Sequence, residues 1–259
     1  MNIQQYYRTV ANTSLNGSFA ALVPVFIVIF PMYLLFPQKE LVVFTAPFLF
    51  YSFISYQSYL VHQERAVESE PLQPGSRVLF DKDKHLLTFL PAPSLRMLLF
   101  SPEGFVNGEI RDLRNTKLRW FLPYFLDKIF PAEYGLYNAE DNLIAICKWK
   151  GRRKAHVYDG KDNSLFTLEK TKTGVKLIVK NNVVQEMKVD SKKTFTDIQF
   201  TTLDGLELGR VRKGWMPLEW GKSFKDANTP VLSFHEKLTE AEKISILTYL
   251  IQIYRYRNH

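Results

Sequence analysis

Five cations fall within the seven residues Lys148–Lys154 (KWKGRRK), with Trp149 among them and Gly151 at the bend. Apolar runs on both sides make this stretch a β-hairpin tip. Like charges crowded on a protruding turn can approach phosphates or an anionic lipid surface together, and an adjacent indole suits the headgroup boundary. A solvated turn would use the same residue types. On this pattern the candidate lipid- or partner-binding residues are Lys148, Trp149, Lys150, Arg152, Arg153 and Lys154. A second candidate is the thirteen-residue run Leu118–Phe130 (LRWFLPYFLDKIF). It is too short to span a bilayer. It either lies in the membrane interface as an amphipathic helix, with Arg119, Trp120, Phe121, Tyr124, Phe125 and Lys128 at the boundary, or caps one end of the fold. Lys170, Lys172, Lys176 and Lys180 form a further basic stretch, and Arg210, Arg212 and Lys213 precede Trp215 and Trp220. Charges spaced along strands are ordinarily solvated faces, and that is the expectation for both stretches.

Other chemistries find no support. The chain has no Gly-rich phosphate loop and no nucleophile elbow. Its histidines (His62, His85, His156, His235 and His259) are scattered, with no pair at metal-ligand spacing. Cys147 is the sole cysteine, which rules out an intramolecular disulfide, and it falls inside an apolar run as a small core residue. The sequence therefore predicts a non-enzymatic protein without a cofactor or metal.

The elements that must carry these residues begin with two apolar runs, Phe19–Phe36 and Leu41–Val61, joined by Pro37-Gln38-Lys39-Glu40. Each approaches the roughly 20 residues that a helix needs to cross a bilayer. Their length and lack of charge favour a two-helix membrane anchor over a buried core hairpin. A cleaved signal peptide is not expected, because the first run starts late, its leader has a single Arg and no small-residue cleavage pattern follows. Two spans would put both chain ends on one side. The thin bias of Arg8 and Arg65 against Lys39 favours the cytoplasmic side, with Tyr6, Tyr7, Tyr56 and Tyr59 at one interface. Pro24 and Pro31 lie seven residues apart on one face of the first helix, where each promotes a kink. The remainder, residues 62–259, carries a net charge of +7. A basic domain held at a membrane attracts anionic headgroups, at about 1 kcal/mol per cation near the surface; the same charge also serves solubility. No nucleic-acid motif is present.

A polar linker, 62–75, precedes a series of short apolar runs separated by turn residues. The candidate strands are 76–81, 85–90, 96–101, 105–111, 142–149, 153–159, 163–169, 174–180, 183–189, 195–202, 205–212 and 229–234. Repeats about ten residues long read as an antiparallel meander or barrel. The chain ends on a different period. Thr239-Glu240-Ala241-Glu242 is a capping box, and Ile244 to Tyr254 place apolar residues around nearly the whole helix. A helix apolar on most sides must be buried on most sides. Threading it through a closed sheet is the economical solution.

The strand–turn segments Tyr137–Lys148 and Val157–Lys170, with Phe195–Arg212 and the terminal helix 239–256, resemble the tubby C-terminal-like superfamily. That group includes tubby, the LURP-one-related proteins and the phospholipid scramblases. The resemblance implies a barrel of about twelve strands around a C-terminal helix, and a basic surface that binds phosphoinositides. The cysteine cluster of scramblases and their C-terminal hydrophobic segment are missing from this chain.

The expected architecture is thus mainly β: a polar segment 1–18, a transmembrane hairpin 19–61, the linker, and a barrel domain 76–259 with its helix at 239–256. The expected location is the cell membrane, with two spans and a cytoplasmic C-terminal domain. The expected function is a membrane-tethered module whose basic barrel binds anionic phospholipid or a partner at that surface. The alternatives are an accessory or immunity-type subunit of a membrane protein complex acting through the hairpin, and lipid scrambling or transport.

Overall fold

The structure is a computed structural model that describes residues 1–35, 43–70, 78–114, 132–180, 182–191 and 196–255. The chain forms two compact units, Met1–Glu70 and Pro71–His259.

In the first unit, α1 (Ile3–Pro24) opens on a capping box. Asn2 Oδ1 accepts the Gln5 N–H at 2.9 Å, and Gln5 Oε1 accepts the Asn2 N–H at 3.0 Å. The helix runs through a π-helical stretch, Val25–Ile29, into α2 (Phe30–Leu35). Pro24 and Pro31 bracket that stretch. Pro31 has no N–H to give the carbonyl of Ile27 and its ring crowds that oxygen, so a widened turn lets the helix pass. Antiparallel to α1 lies α3 (Ala46–Glu68). Small residues let the two helices approach closely: the hydroxyls of Ser18 and Ser52 meet at 2.9 Å, and those of Ser14 and Ser58 at 3.2 Å. Gln4 Nε2 donates to the Ser69 carbonyl at 2.6 Å, tying the ends of the pair together.

This unit corrects the two-span expectation. Among the described residues one helix, Ile3–Leu35, is long and apolar enough to cross a membrane, judged by length and composition. The other helix, α3, does not meet that standard. Its second half carries Gln57, His62, Gln63, Glu64, Arg65 and Glu68, and the helix runs on to Glu68 instead of ending with the apolar run. The transmembrane hairpin 19–61 therefore falls. The multi-pass location falls with it, as does the assignment of the C-terminal domain to the cytoplasmic side, which required an even number of crossings. The expected tight link Pro37-Gln38-Lys39-Glu40 lies outside the described residues.

The second unit is a closed antiparallel barrel of twelve strands. In chain order these are β1 (Lys84–Phe89), β2 (Arg96–Phe100), β3 (Val106–Asp112), β4 (Ala132–Asn138), β5 (Leu143–Lys150) and β6 (Lys154–Asp159). There follow β7 (Ser164–Lys170), β8 (Gly174–Val179), β9 (Asn182–Ser191), β10 (Asp197–Thr202), β11 (Glu207–Arg212) and β12 (Val231–Phe234). Each pairs with its neighbour in sequence, and β12 closes the circle on β1 through Lys84↔Ser233, His85↔Leu232 and Leu86↔Val231. Alternation sends one set of side chains inward, as in Ala145, Cys147 and Trp149 of β5 or Val175 and Leu177 of β8.

Through the barrel runs α4 (Glu240–Arg255), buried on most sides as its apolar circumference demands. Thr239 caps it: its N–H donates to Glu242 Oε2 at 2.8 Å, and its Oγ1 accepts the Glu242 N–H at 3.4 Å. Three of the buried polar residues on the helix find partners. The Thr248 hydroxyl donates to the Ile244 carbonyl at 2.8 Å, and that of Ser245 to the Glu242 carbonyl at 2.7 Å. Lys243, 5% exposed, donates to Asp83 Oδ1 at 3.2 Å and to the Phe80 carbonyl at 3.3 Å.

Two strand assignments differ from the sequence reading. The described part of the candidate 76–81 holds a turn at Leu79–Phe80 instead of a strand, and β4 occupies residues with no candidate. Leu79 is buried with the barrel core, and the bare Cα of Gly108 makes room for it.

Candidate functional site

In a meander, successive turns fall at alternate ends of the barrel. One end therefore collects the β5–β6 turn (Gly151–Arg153), the β7–β8 turn (Thr171–Thr173), the connection from β11 to β12 and the C-terminus of α4. Lys150, Arg152 and Arg153 are exposed at the first turn, with Lys154 half-buried beside them. Lys170 and Lys172 are exposed at the second turn, and Lys213 and Lys222 in the connection. Arg255 ends the helix there. Gln252 Nε2 donates to the Arg152 carbonyl at 3.3 Å, fixing the β5–β6 turn to the helix that fills the barrel. The Lys170 N–H donates to the Arg153 carbonyl at 2.7 Å, which extends the strand pairing to the rim.

The opposite end is acidic. Its turns carry Glu103, Glu140 with Asp141, Asp159 with Asp162, Asp204 and Glu236, and Glu240 and Glu242 open α4 there, so carboxylates outnumber the exposed Lys161, Lys180 and Lys237 among them. Two of these turns share one construction. Asn138 Oδ1 accepts the N–H groups of Glu140 and Asn142, and Asp159 Oδ1 those of Lys161 and Asn163, each at 2.8–3.0 Å. Asp141 and Asp162 occupy the left-handed conformation in the corresponding places, which Asp tolerates. The bonds from Asn163 and Lys161 hold the Asp159 carboxyl below the usual carboxylate range.

The six residues named at the hairpin tip divide. Lys150, Arg152, Arg153 and Lys154 gather at the rim. Lys148 leans the other way, to Asp162 at 3.1 Å and over the Tyr158 ring at 4.6 Å. Trp149 points into the barrel, 7% exposed, and its indole N–H meets no acceptor among the described residues. The idea that it enters a lipid interface is corrected by strand alternation, which puts it on the face of Ala145 and Cys147. That signal was present in the sequence. The candidates Arg119, Trp120, Phe121, Tyr124, Phe125 and Lys128 lie outside the described residues, between β3 and β4.

The two lesser basic stretches also split. Lys176 pairs with Glu186 at 3.3 Å, and Arg210 with Asp197 at 2.7 Å, both along strands. Lys170, Lys172 and Lys213 reach the basic rim. Trp215 and Leu218, which sequence reasoning did not single out as apolar contacts, protrude there, 69% and 97% exposed. Trp220, by contrast, is buried.

Among the described residues no group of three His, Cys, Asp or Glu could hold a metal ion. Cys147 lies inside the barrel with the Thr248 hydroxyl at 3.2 Å from its Sγ, and burial pushes its thiol up to about 11.

No family model and no curated protein matches the chain. The chain is similar to an X-ray structure of a protein from Arabidopsis thaliana, at 10% identity and a TM-score of 0.43, over 66% of this chain and 91% of that one. At that score the likeness assigns neither family nor function. The tubby C-terminal-like reading behind a two-span anchor is accordingly withdrawn, since no family match supports it and one spanning-length helix replaces the hairpin. The closed barrel around a helix stands on its own strand pairing.

Proposed function

We propose that the chain is a non-enzymatic module, tethered to a membrane by Ile3–Leu35, whose barrel binds anionic lipid headgroups through its basic end. The observation that carries this reading is the imbalance of charge: cations predominate in the turns at one end, with Glu219 and Asp226 among them, and carboxylates in the turns at the other, with Lys161, Lys180 and Lys237 among them. A uniformly charged surface would serve solubility equally well; a polarised one orients the domain in a field. Cations grouped on short turns approach a plane of phosphates together, while the acidic end is repelled.

The test is amide hydrogen exchange on the full chain in nanodiscs, made either of phosphatidylcholine alone or with added phosphatidylserine. Residues 150–154 and 170–173 are expected to gain protection only with phosphatidylserine. The charge-reversed variant Lys150→Glu/Arg153→Glu/Lys154→Glu is expected to lose it. Equal exchange on both compositions would remove the headgroup reading.

A further inference from the structure

The connection from β11 to β12 presents two exposed apolar side chains on a well-anchored base. Gly214 turns the chain at φ +77°, and the Trp220 N–H closes onto the Pro217 carbonyl at 3.1 Å. Trp220, Ser223 and Phe224 are buried below, with Phe224 edge-on to Phe100 at 5.8 Å. Nothing in that construction hides Trp215 or Leu218. The Arg212 guanidinium sits 5.3 Å from the Trp215 ring, Lys213 and Lys222 are exposed on either side, and the exposed Glu219 follows Leu218.

Position on the rim narrows what this loop can meet. Trp215 follows Arg212, the last residue of β11, by three residues. Strand β11 stands six strands from β5 in a circle of twelve, so the start of the loop lies across the barrel from the β5–β6 turn, before the chain packs Phe224 on Phe100 outside β2. Strands about 4.8 Å apart and tilted as in closed barrels place them roughly 24 Å apart. A small phosphate ligand reaches one of them; a flat anionic surface reaches both. The apolar pair, with Arg212, Lys213 and Lys222 outnumbering Glu219 around it, matches the layering of a bilayer, with acyl chains below phosphates.

We propose that Trp215 and Leu218 form a membrane-insertion wedge. Together with the β5–β6 turn opposite, they seat the basic end flat on an anionic leaflet, with both side chains at the headgroup–acyl boundary. The proposal rests on the headgroup reading above and adds to it the inserted element and the tilt of the barrel.

The full chain is placed in nanodiscs containing phosphatidylserine and acyl-brominated phosphatidylcholine, and tryptophan emission is recorded for the native protein and for Trp215→Phe. The difference between the two isolates Trp215 from the other tryptophans. A bromine-quenched component that is lost in Trp215→Phe, and at least halved in Leu218→Ser, is the expected result. Quenching that is identical in native and Trp215→Phe protein, while residues 150–154 remain protected, overturns the wedge and leaves headgroup binding intact. If Trp215 is quenched but residues 150–154 exchange alike on both lipid compositions, the wedge stands and the headgroup reading fails. A Trp215 component unquenched on every composition leaves the loop to a protein surface or to solvent and also overturns the proposal.

Discussion

His85 sits fully buried in the barrel interior, edge-on to Phe234 at 5.9 Å. Burial, reinforced by the nearby Lys243 charge, lowers its pKa to about 4. The neutral imidazole is therefore the form the fold holds, whereas the unfolded chain protonates near 6.5. The stability from that neutral burial is complete above pH 6.5 and is lost as pH falls towards 4, a difference of roughly 3 kcal/mol. Denaturant midpoints of the full chain in detergent, measured across that range, are expected to fall with pH. The slope is expected to flatten in His85→Leu. Lys243 faces the same interior from α4, beside Asp83 and over the rings of Phe80 and Phe234 at 6.0 and 5.7 Å.

At the level of elements, the segment before β1 acts as a stopper. An ideal Cβ on Gly108 would lie 2.4 Å from Leu79 Cδ1 and 3.2 Å from the Tyr137 carbonyl oxygen. Gly108→Ala is expected to cost about 1–3 kcal/mol. Adding Leu79→Ala should recover part of that loss, with a coupling of about 1 kcal/mol in a double-mutant cycle. Gly221→Ala, which meets nothing within 4 Å, should stay within about 0.5 kcal/mol and serves as the control. These details also show where the sequence runs out. Alternation in Val175, Leu177 and Val179 and the capping box at Thr239 announce β8 and α4 locally, because each depends on its own residues. AEYGLYN hides β4, because Gly135 interrupts the apolar pattern; an added Cβ there would crowd Tyr137 and Leu143. Leu79 looks like part of a strand because burial alone does not say what buries a residue. The rim was illegible for another reason. Which turns share an end depends on strand order, so Lys150, Lys170 and Trp215 become neighbours in function only once the circle is closed.

For the whole molecule, the two ends of the barrel form a charge dipole. The interior helix complements it, with Glu240 and Glu242 at the helix N-terminus and Arg255 at its C-terminus. A field that depends on exposed charges is sensitive to salt. The screening length shrinks from about 10 Å at 0.1 M to about 3 Å at 1 M. Protection of residues 150–154 on phosphatidylserine nanodiscs is expected to fade over that range, while the apolar helix stays in the bilayer. Salt-independent protection would point to a contact without charge. The closing pair β1–β12 has a different consequence, which concerns how the protein is made. The first strand waits for the last, and the helix that fills the barrel follows that last strand. During synthesis, eleven strands must emerge with an open edge and no interior before either arrives. A chain that stalls late on the ribosome would expose a long, unpaired, apolar-faced sheet, which is a template for aggregation and a target for chaperones.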